Sequence, residues 1–219
     1  MSTFSATANG GSTIGYAQYG SSSWSAGSSN GACQGAYKGT TAAKSRVGVM
    51  VFNGAGAALK GKLIQQISLS ITCSGAGSGS SGKVLTFHKA NYQSLNTSVR
   101  GSAQVGDTLG TLTGKFYSNT VTHTLNASTN AALFSAMKAY FEAGNSALVL
   151  YNGETSSSSG YSSNYARVTS CTISVTYIDA VVWYCDGGTW KRCTVWYRTG
   201  GAWKQVVPYY NSGGAWVRV

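Results

Sequence analysis

Three stretches of this chain alternate apolar and hydroxyl residues without a break, and that alternation rules out most folds. Ile67, Leu69, Ile71 and Cys73 are separated by Ser68, Ser70 and Thr72. Cys171, Ile173, Val175 and Tyr177 repeat the pattern, and Val121, His123 and Leu125 alternate with Thr120, Thr122 and Thr124. A period of two sends one set of side chains to a core and the other to water, which is a half-buried antiparallel strand and not a helix. Val47–Phe52, Val84–His88 and Ala147–Tyr151 are continuous apolar runs of strand length. The composition agrees. Only 10% of residues are charged, against about 25% in an ordinary soluble domain, while 29 Gly, 1 Pro, 14 Tyr and 6 Trp suit short strands, small-residue turns and cross-strand aromatic packing.

One helix interrupts the strands. Leu133, Phe134, Met137, Tyr140 and Phe141 fall on one face at helical spacing. Ser128, Thr129 and Asn130 offer N-caps and Gly144 a stop, so a helix is expected over Ala131–Ala143. Ser74 to Gly82 reads as a Gly/Ser hairpin connection. Its Gly75-Ala-Gly77 lacks the Lys-Ser/Thr and the following helix of a phosphate cradle. The expected architecture is all-β: an antiparallel sandwich with one short helix, occupying residues 46–179. Residues 1–45 are rich in Gly, Ser and Ala, but Tyr16, Tyr19, Trp24 and Tyr37 favour an ordered wrap joining the sandwich over a disordered arm.

Residues 180–219 repeat with a period of 13. The copies begin at Trp183, Trp196 and Tyr209, and each carries two aromatics, two variable residues, Gly-Gly, a small residue and Trp: Trp190, Trp203 and Trp216. Gly-Gly supplies the positive φ of a tight hairpin turn. With two-residue turns, Trp190 lies opposite Cys185, Trp203 opposite Arg198 as a cation–π pair, and Trp216 opposite Asn211. An array this small cannot hold its own core and needs neighbours. Trp183, Trp190, Trp196, Arg198, Trp203, Tyr209 and Trp216 are therefore the expected assembly residues.

Two resemblances follow. Gly114 to Tyr177, with its strand, single helix, Gly144-Asn-Ser-Ala-Leu-Val-Leu-Tyr151 run, Tyr161-Ser-x-x-Tyr165 loop and final strand, resembles the second half of a carbohydrate-module-like jelly roll. The Gly-Gly-x-Trp repeats resemble the ends of tailed-phage or prophage tail-fibre and minor virion structural proteins. Together they imply a jelly-roll virion protein: a fibre or receptor-binding component recognising host-surface glycan. Alternatives are a capsid-decorating or fibre-anchoring protein without glycan binding, and a bacterial glycan-binding module. The analogy with fibre proteins implies a homo-oligomer, with a trimer preferred, held among other virion proteins.

Within the jelly roll, Tyr161, Ser162, Asn164 and Tyr165 are the expected glycan-binding residues, since a sugar ring stacks one apolar face and offers hydroxyls to polar neighbours. The formal charge of +11 favours an anionic partner such as a cell-wall glycan. The cations are scattered, eleven Lys/Arg against four acids to residue 180 and five against one beyond, so nucleic acid is not expected. No segment has the length of a membrane span. The first residues, Met-Ser-Thr-Phe-Ser, lack a leader's basic and apolar regions, so the chain is expected to start in a cytoplasm, and the resemblance to virion proteins then implies the virion exterior, reached by assembly in the host cytoplasm.

No enzyme, metal or cofactor is expected. His123 continues a strand register and reads as a core residue; His88 ends a strand and reads as exposed. Glu142 falls in the last helical turn and Glu154 in a solvated Asn-Gly-Glu turn, with no motif pairing them across a cleft as a glycosidase requires. Cys73 and Cys171 read as small buried hydrophobes. Cys185 and Cys193 would bridge only across a wider loop, because a two-residue turn sets Cys185 against Trp190.

Overall fold

The computed structural model describes residues 1–19, 24–26, 31–38, 43–74, 82–95, 101–155, 160–179, 182–193, 195–205, 209–212 and 215–218. The strands are β1 (Ser2–Asn9), β2 (Ile14–Tyr19), β3 (Trp24–Ala26), β4 (Ala32–Lys38), β5 (Ala43–Val51), β6 (Leu63–Cys73), β7 (Lys83–Ala90), β8 (Val105–Gly114), β9 (Thr120–Leu125), β10 (Ala147–Leu150), β11 (Gly160–Tyr161) and β12 (Ala166–Ile178). Three hairpins follow: β13 (Val182–Asp186) with β14 (Thr189–Cys193), β15 (Trp196–Thr199) with β16 (Ala202–Gln205), and β17 (Tyr209–Ser212) with β18 (Ala215–Arg218). The helices are α1 (Ala55–Leu59) and α2 (Ala131–Glu142).

All pairings are antiparallel, and eight strands make two four-stranded sheets. One runs β1-β12-β6-β9, the other β5-β10-β7-β8. In chain order these eight pair first with last, second with seventh, third with sixth and fourth with fifth. That nested pairing, wound across two sheets, is a jelly roll. It forms because the alternating strands each offer one apolar face. Ile67, Leu69 and Ile71 of β6 and Cys171, Ile173 and Val175 of β12 are fully buried against Met50, Leu148, Leu150, Leu85 and Phe87 of the other sheet. Each such side chain contributes about 1.5–3 kcal/mol.

The continuous runs at β5 and β10 have their own cause. Met50, Leu148 and Leu150 face the main core, while Val47, Val49, Val51, Ala147 and Val149 form a second apolar cluster with Ala90, Leu95, Val105 and Tyr151. Both faces of this part of the sheet are covered, so no alternation is needed.

The N-terminal segment belongs to the sandwich. β1 pairs with β12 from Ser2↔Tyr177 to Asn9↔Ser170, and β2 lies along β5. β5 begins at Ala43, so no break falls between residues 45 and 46. β4 joins the two sheets: Ala32–Gln34 pair with Val168–Ala166 of β12, and Gly35–Lys38 pair with Arg46–Ala43 of β5. The strand turns at Gly35, whose φ of 84° is left-handed.

α2 closes one end of the sandwich with Leu133, Phe134, Met137, Tyr140 and Phe141 buried, the five residues its periodicity selects. The Gly144 N–H donates to Phe141 O at 2.9 Å, ending the helix. The capping differs from expectation. Asn130 holds the N-cap position in a left-handed conformation and makes no side-chain cap bond. Instead Asn126 Oδ1 accepts from the N–H groups of Ser128 and Thr129, 2.9 and 2.8 Å away. The short α1 is a second departure from the one-helix expectation. Its Ala-Gly-Ala-Ala-Leu sequence carries one large apolar anchor, Leu59, and so no periodicity. Gly75–Ser81 of the expected Gly/Ser connection lies outside the described residues. Among the described residues no helix is long and apolar enough to cross a membrane.

Candidate functional site

Along β5, the Phe52 end packs edge-on against Phe141 of α2, with ring centroids 6.5 Å apart, while the other end carries Arg46. There the β4 corner, β2 and the loop after β11 meet in a separate cluster of Cys33 and Tyr165 with Tyr16 and Tyr37 packed on it. The register explains this gathering: Gly35 lies opposite Arg46, Tyr16 opposite Gly48, and Tyr161 opposite Tyr37.

The Arg46 guanidinium carbon sits 4.8 Å from the Tyr16 ring centre, 5.3 Å from Tyr165 and 5.4 Å from Tyr37. Nη1 donates to the Tyr165 hydroxyl and lies 4.0 Å from Cys33 Sγ. Nε is buried without a partner. A half-buried cation over aromatic faces is attracted to their quadrupoles, by about 2 kcal/mol or more when desolvated. Outward from Arg46 the rings continue in a row. Tyr161 lies 4.6 Å from Tyr37 and 4.5 Å from Tyr165, and 40% of it is exposed.

The four expected glycan residues thus divide. Tyr161 offers a ring to solvent. Tyr165 does not: it is 1% exposed, covered by Tyr161 on one side and Arg46 on another, and burial pushes its phenol well above the ordinary value. The expectation that its face stacks a sugar is corrected by that burial. Asn164 is scaffold. Its Oδ1 accepts from Val84 N at 3.0 Å and its backbone O from Gln34 Nε2 at 3.0 Å. The buried Gln34 also donates to Val84 O at 2.7 Å and accepts from Thr86 N at 2.9 Å. These two amides answer backbone groups of β7 where its ladder with β10 has ended. Ser162 Oγ accepts from Ala36 N at 2.9 Å and donates to Glu154.

Glu154 is therefore not a solvated turn residue. Its carboxylate is the hub of the loop, receiving Ser162 Oγ, Asn164 Nδ2 at 3.3 Å and Ser163 Oγ at 3.4 Å. Beneath it the buried Lys83 ammonium donates to Tyr165 O at 2.6 Å, and burial pulls its pKa below the ordinary lysine value. Sequence reasoning missed Arg46, Tyr37 and Glu154 as members of one site. One signal was available: Arg46 is in step with Gly48 and Met50, a charge on the core-facing register of β5.

Glu142 stands apart, accepting from Ile64 N at 2.8 Å and pairing with Lys138 at 2.5 Å. His88 is not exposed as expected. It is half-buried inside β7, its ring nitrogens 3.0 Å from Gly106 O and 2.9 Å from Tyr151 O. His123 packs 5.6 Å from Phe116, its Nε2 is buried without a partner, and burial lowers its pKa. Cys73 and Cys171 are buried free thiols pushed up to about 12 by burial, and burial raises Cys33 too. Among the described residues no three of His, Cys, Asp and Glu come together as a metal set. A groove of about 790 Å³ lies elsewhere, between α2 and the β7–β8 end, rimmed by the exposed Lys89–Asp107 pair.

The three repeats form three hairpins in one register. Cys185 pairs with Trp190, Arg198 with Trp203 and Asn211 with Trp216; Cys193 pairs with Val182. Gly200 and Gly201 take φ of 58° and 81°, the double left-handed turn that Gly-Gly permits. Trp196 is 52% exposed and Trp203 65%, and Arg198 is exposed. The side chains of Trp183, Trp190, Tyr209 and Trp216 lie outside the described residues. Compared with known proteins, the chain matches no protein-family model, and no curated protein is similar enough to count as a relative.

Proposed function

We propose that this chain is a non-catalytic structural component of a tailed bacteriophage or phage-like particle: a fibre or receptor-binding piece on the virion exterior. In this reading the jelly roll takes a host-surface glycan and the hairpins join copies of the chain to one another and to other virion proteins. The observation that carries it is a jelly roll followed by three Gly-Gly hairpins of one register, the middle one holding Trp196 and Trp203 out to water. An exposed Trp leaves a large apolar area unburied, and burial against a neighbouring copy removes that cost. The fold alone does not give the function, since jelly rolls serve capsids, lectins and enzymes; the support comes from the two features together.

The test compares the full chain with a truncation after Asp179 by light scattering, alongside pull-down on host cells. The full chain is expected to be oligomeric, a trimer first, and the truncation monomeric but still cell-binding. An unchanged oligomeric state after truncation removes the assembly role. The commitment of Ser162, Asn164 and Tyr165 to scaffold bonds favours a second reading, a capsid-decorating or fibre-anchoring protein without glycan binding. Retention on purified capsids with no binding to cells would select it.

A further inference from the structure

Resting on the glycan reading above, we infer that the ligand of the β4 corner is an anionic saccharide, with a sugar ring stacked on Tyr161 and its acidic substituent met by Arg46. Charge balance carries the argument. Among the described residues Arg46 forms no ion pair with a carboxylate. Its Nη1 is held by Tyr165, and among the described residues its buried Nε has no partner and Nη2 no hydrogen bond.

A second guanidinium, Arg167, stands opposite Cys33 in the β4–β12 register, also with its Nε buried and unpartnered. Glu154, the carboxylate of this loop, is engaged by Ser162, Ser163 and Asn164, and among the described residues no hydrogen bond or ion pair joins it to either arginine. Removing a guanidinium from water without an anion is unfavourable, and cation–π contacts offset that only in part. An incoming carboxylate or phosphate would complete the charge balance, and a planar guanidinium edge suits both.

The aromatic row supplies the other half of the site. Tyr161 and Arg46 lie against the same two rings, Tyr37 and Tyr165, so an exposed stacking face and a half-buried guanidinium share one platform. A neutral sugar would use only the first, and a free inorganic anion only the second. A sugar bearing an acidic group uses both.

The experiment titrates the full-length protein with three probes: oligogalacturonate, the same oligosaccharide after carboxyl reduction, and a glycosyl-substituted polyol phosphate. Binding of either acidic probe at least tenfold tighter than the reduced sugar is expected, weakening as salt rises. The preferred acidic probe identifies carboxylate or phosphate as the natural group. Arg46→Lys should lower acidic-probe affinity at least tenfold while leaving the reduced sugar unaffected. Tyr161→Ala, at an exposed position, should weaken both. Equal affinity for acidic and reduced probes overturns this inference and leaves glycan recognition standing; binding of none of the three overturns both. The reduced-sugar comparison uses the unmodified protein, so it stands even if Arg46→Lys fails to fold.

Discussion

Replacing Gly35 by alanine tests whether the β4 corner is built as described. Two costs add. The backbone there has φ of 84°, where an L side chain meets its own carbonyl, at about 1–2 kcal/mol. A Cβ at this position would also lie 2.8 Å from Tyr165 Cα, 2.8 Å from Ser162 Oγ and 3.0 Å from Glu154 Oε2. The first of these is backbone and cannot rotate away, so overpacking adds about 1–3 kcal/mol. Stiffening of the unfolded chain returns about 0.4–1 kcal/mol. The net loss is about 1–4.5 kcal/mol, a Tm decrease of roughly 2–18 °C at about 2–4 °C per kcal/mol for a chain of this size. Gly10→Ala is the control, because Gly10 has φ of 54° and nothing within 4 Å of an added Cβ. It isolates the dihedral cost, about 1 kcal/mol net. Calorimetry of both variants decides the matter. Midpoints within about 2 °C of each other would refute the steric argument, and with it the close packing of the Tyr161–Tyr165 loop on the corner.

Four further outcomes are expected. Glu154→Gln keeps the shape of the hub but weakens its hydroxyl and amide bonds, costing about 1–2 kcal/mol in urea unfolding and raising amide exchange at Ser162–Tyr165. His123 has a folded-state pKa below its unfolded value because of burial, so its contribution to stability is complete above about pH 6.5 and is lost as pH falls through the folded pKa; His123→Leu should flatten that acid limb of the stability–pH curve. Ile173→Ala, at a fully buried position of β12, should cost about 2–5 kcal/mol in denaturant unfolding with an unchanged m-value. Cys33, Cys73 and Cys171, all buried with raised pKa values, should resist a thiol reagent at neutral pH until the chain unfolds, as peptide mapping of the labelled sites would reveal.

Local pattern determined much of this molecule. The period of two in β6, β9 and β12 selected their inward residues, because side-chain direction in a strand is a property of the backbone. The helical spacing of Leu133 to Phe141 selected the buried face of α2, and Gly-Gly set the hairpin registers down to Arg198 opposite Trp203. These features depend on neighbours within a few residues, so the amino-acid order is enough to read them. α1 and β8 escaped notice, since their Gly-, Ala- and Thr-rich stretches carry no strong period.

Tertiary structure alone decided the site. Tyr161 and Tyr165 are four residues apart with similar local surroundings, yet one ring faces water and the other is buried. The difference is made by Arg46, Tyr37 and Gly35, which come from β4 and β5 more than a hundred residues earlier in the chain. Glu154 became a hub instead of a solvated turn for the same reason: its partners arrive only when the loop after β11 folds onto the corner of β4. Burial and charge balance are sums over residues distant in sequence, so no local pattern encodes them. They are settled when two sheets close on each other and determine which cation is left without an anion.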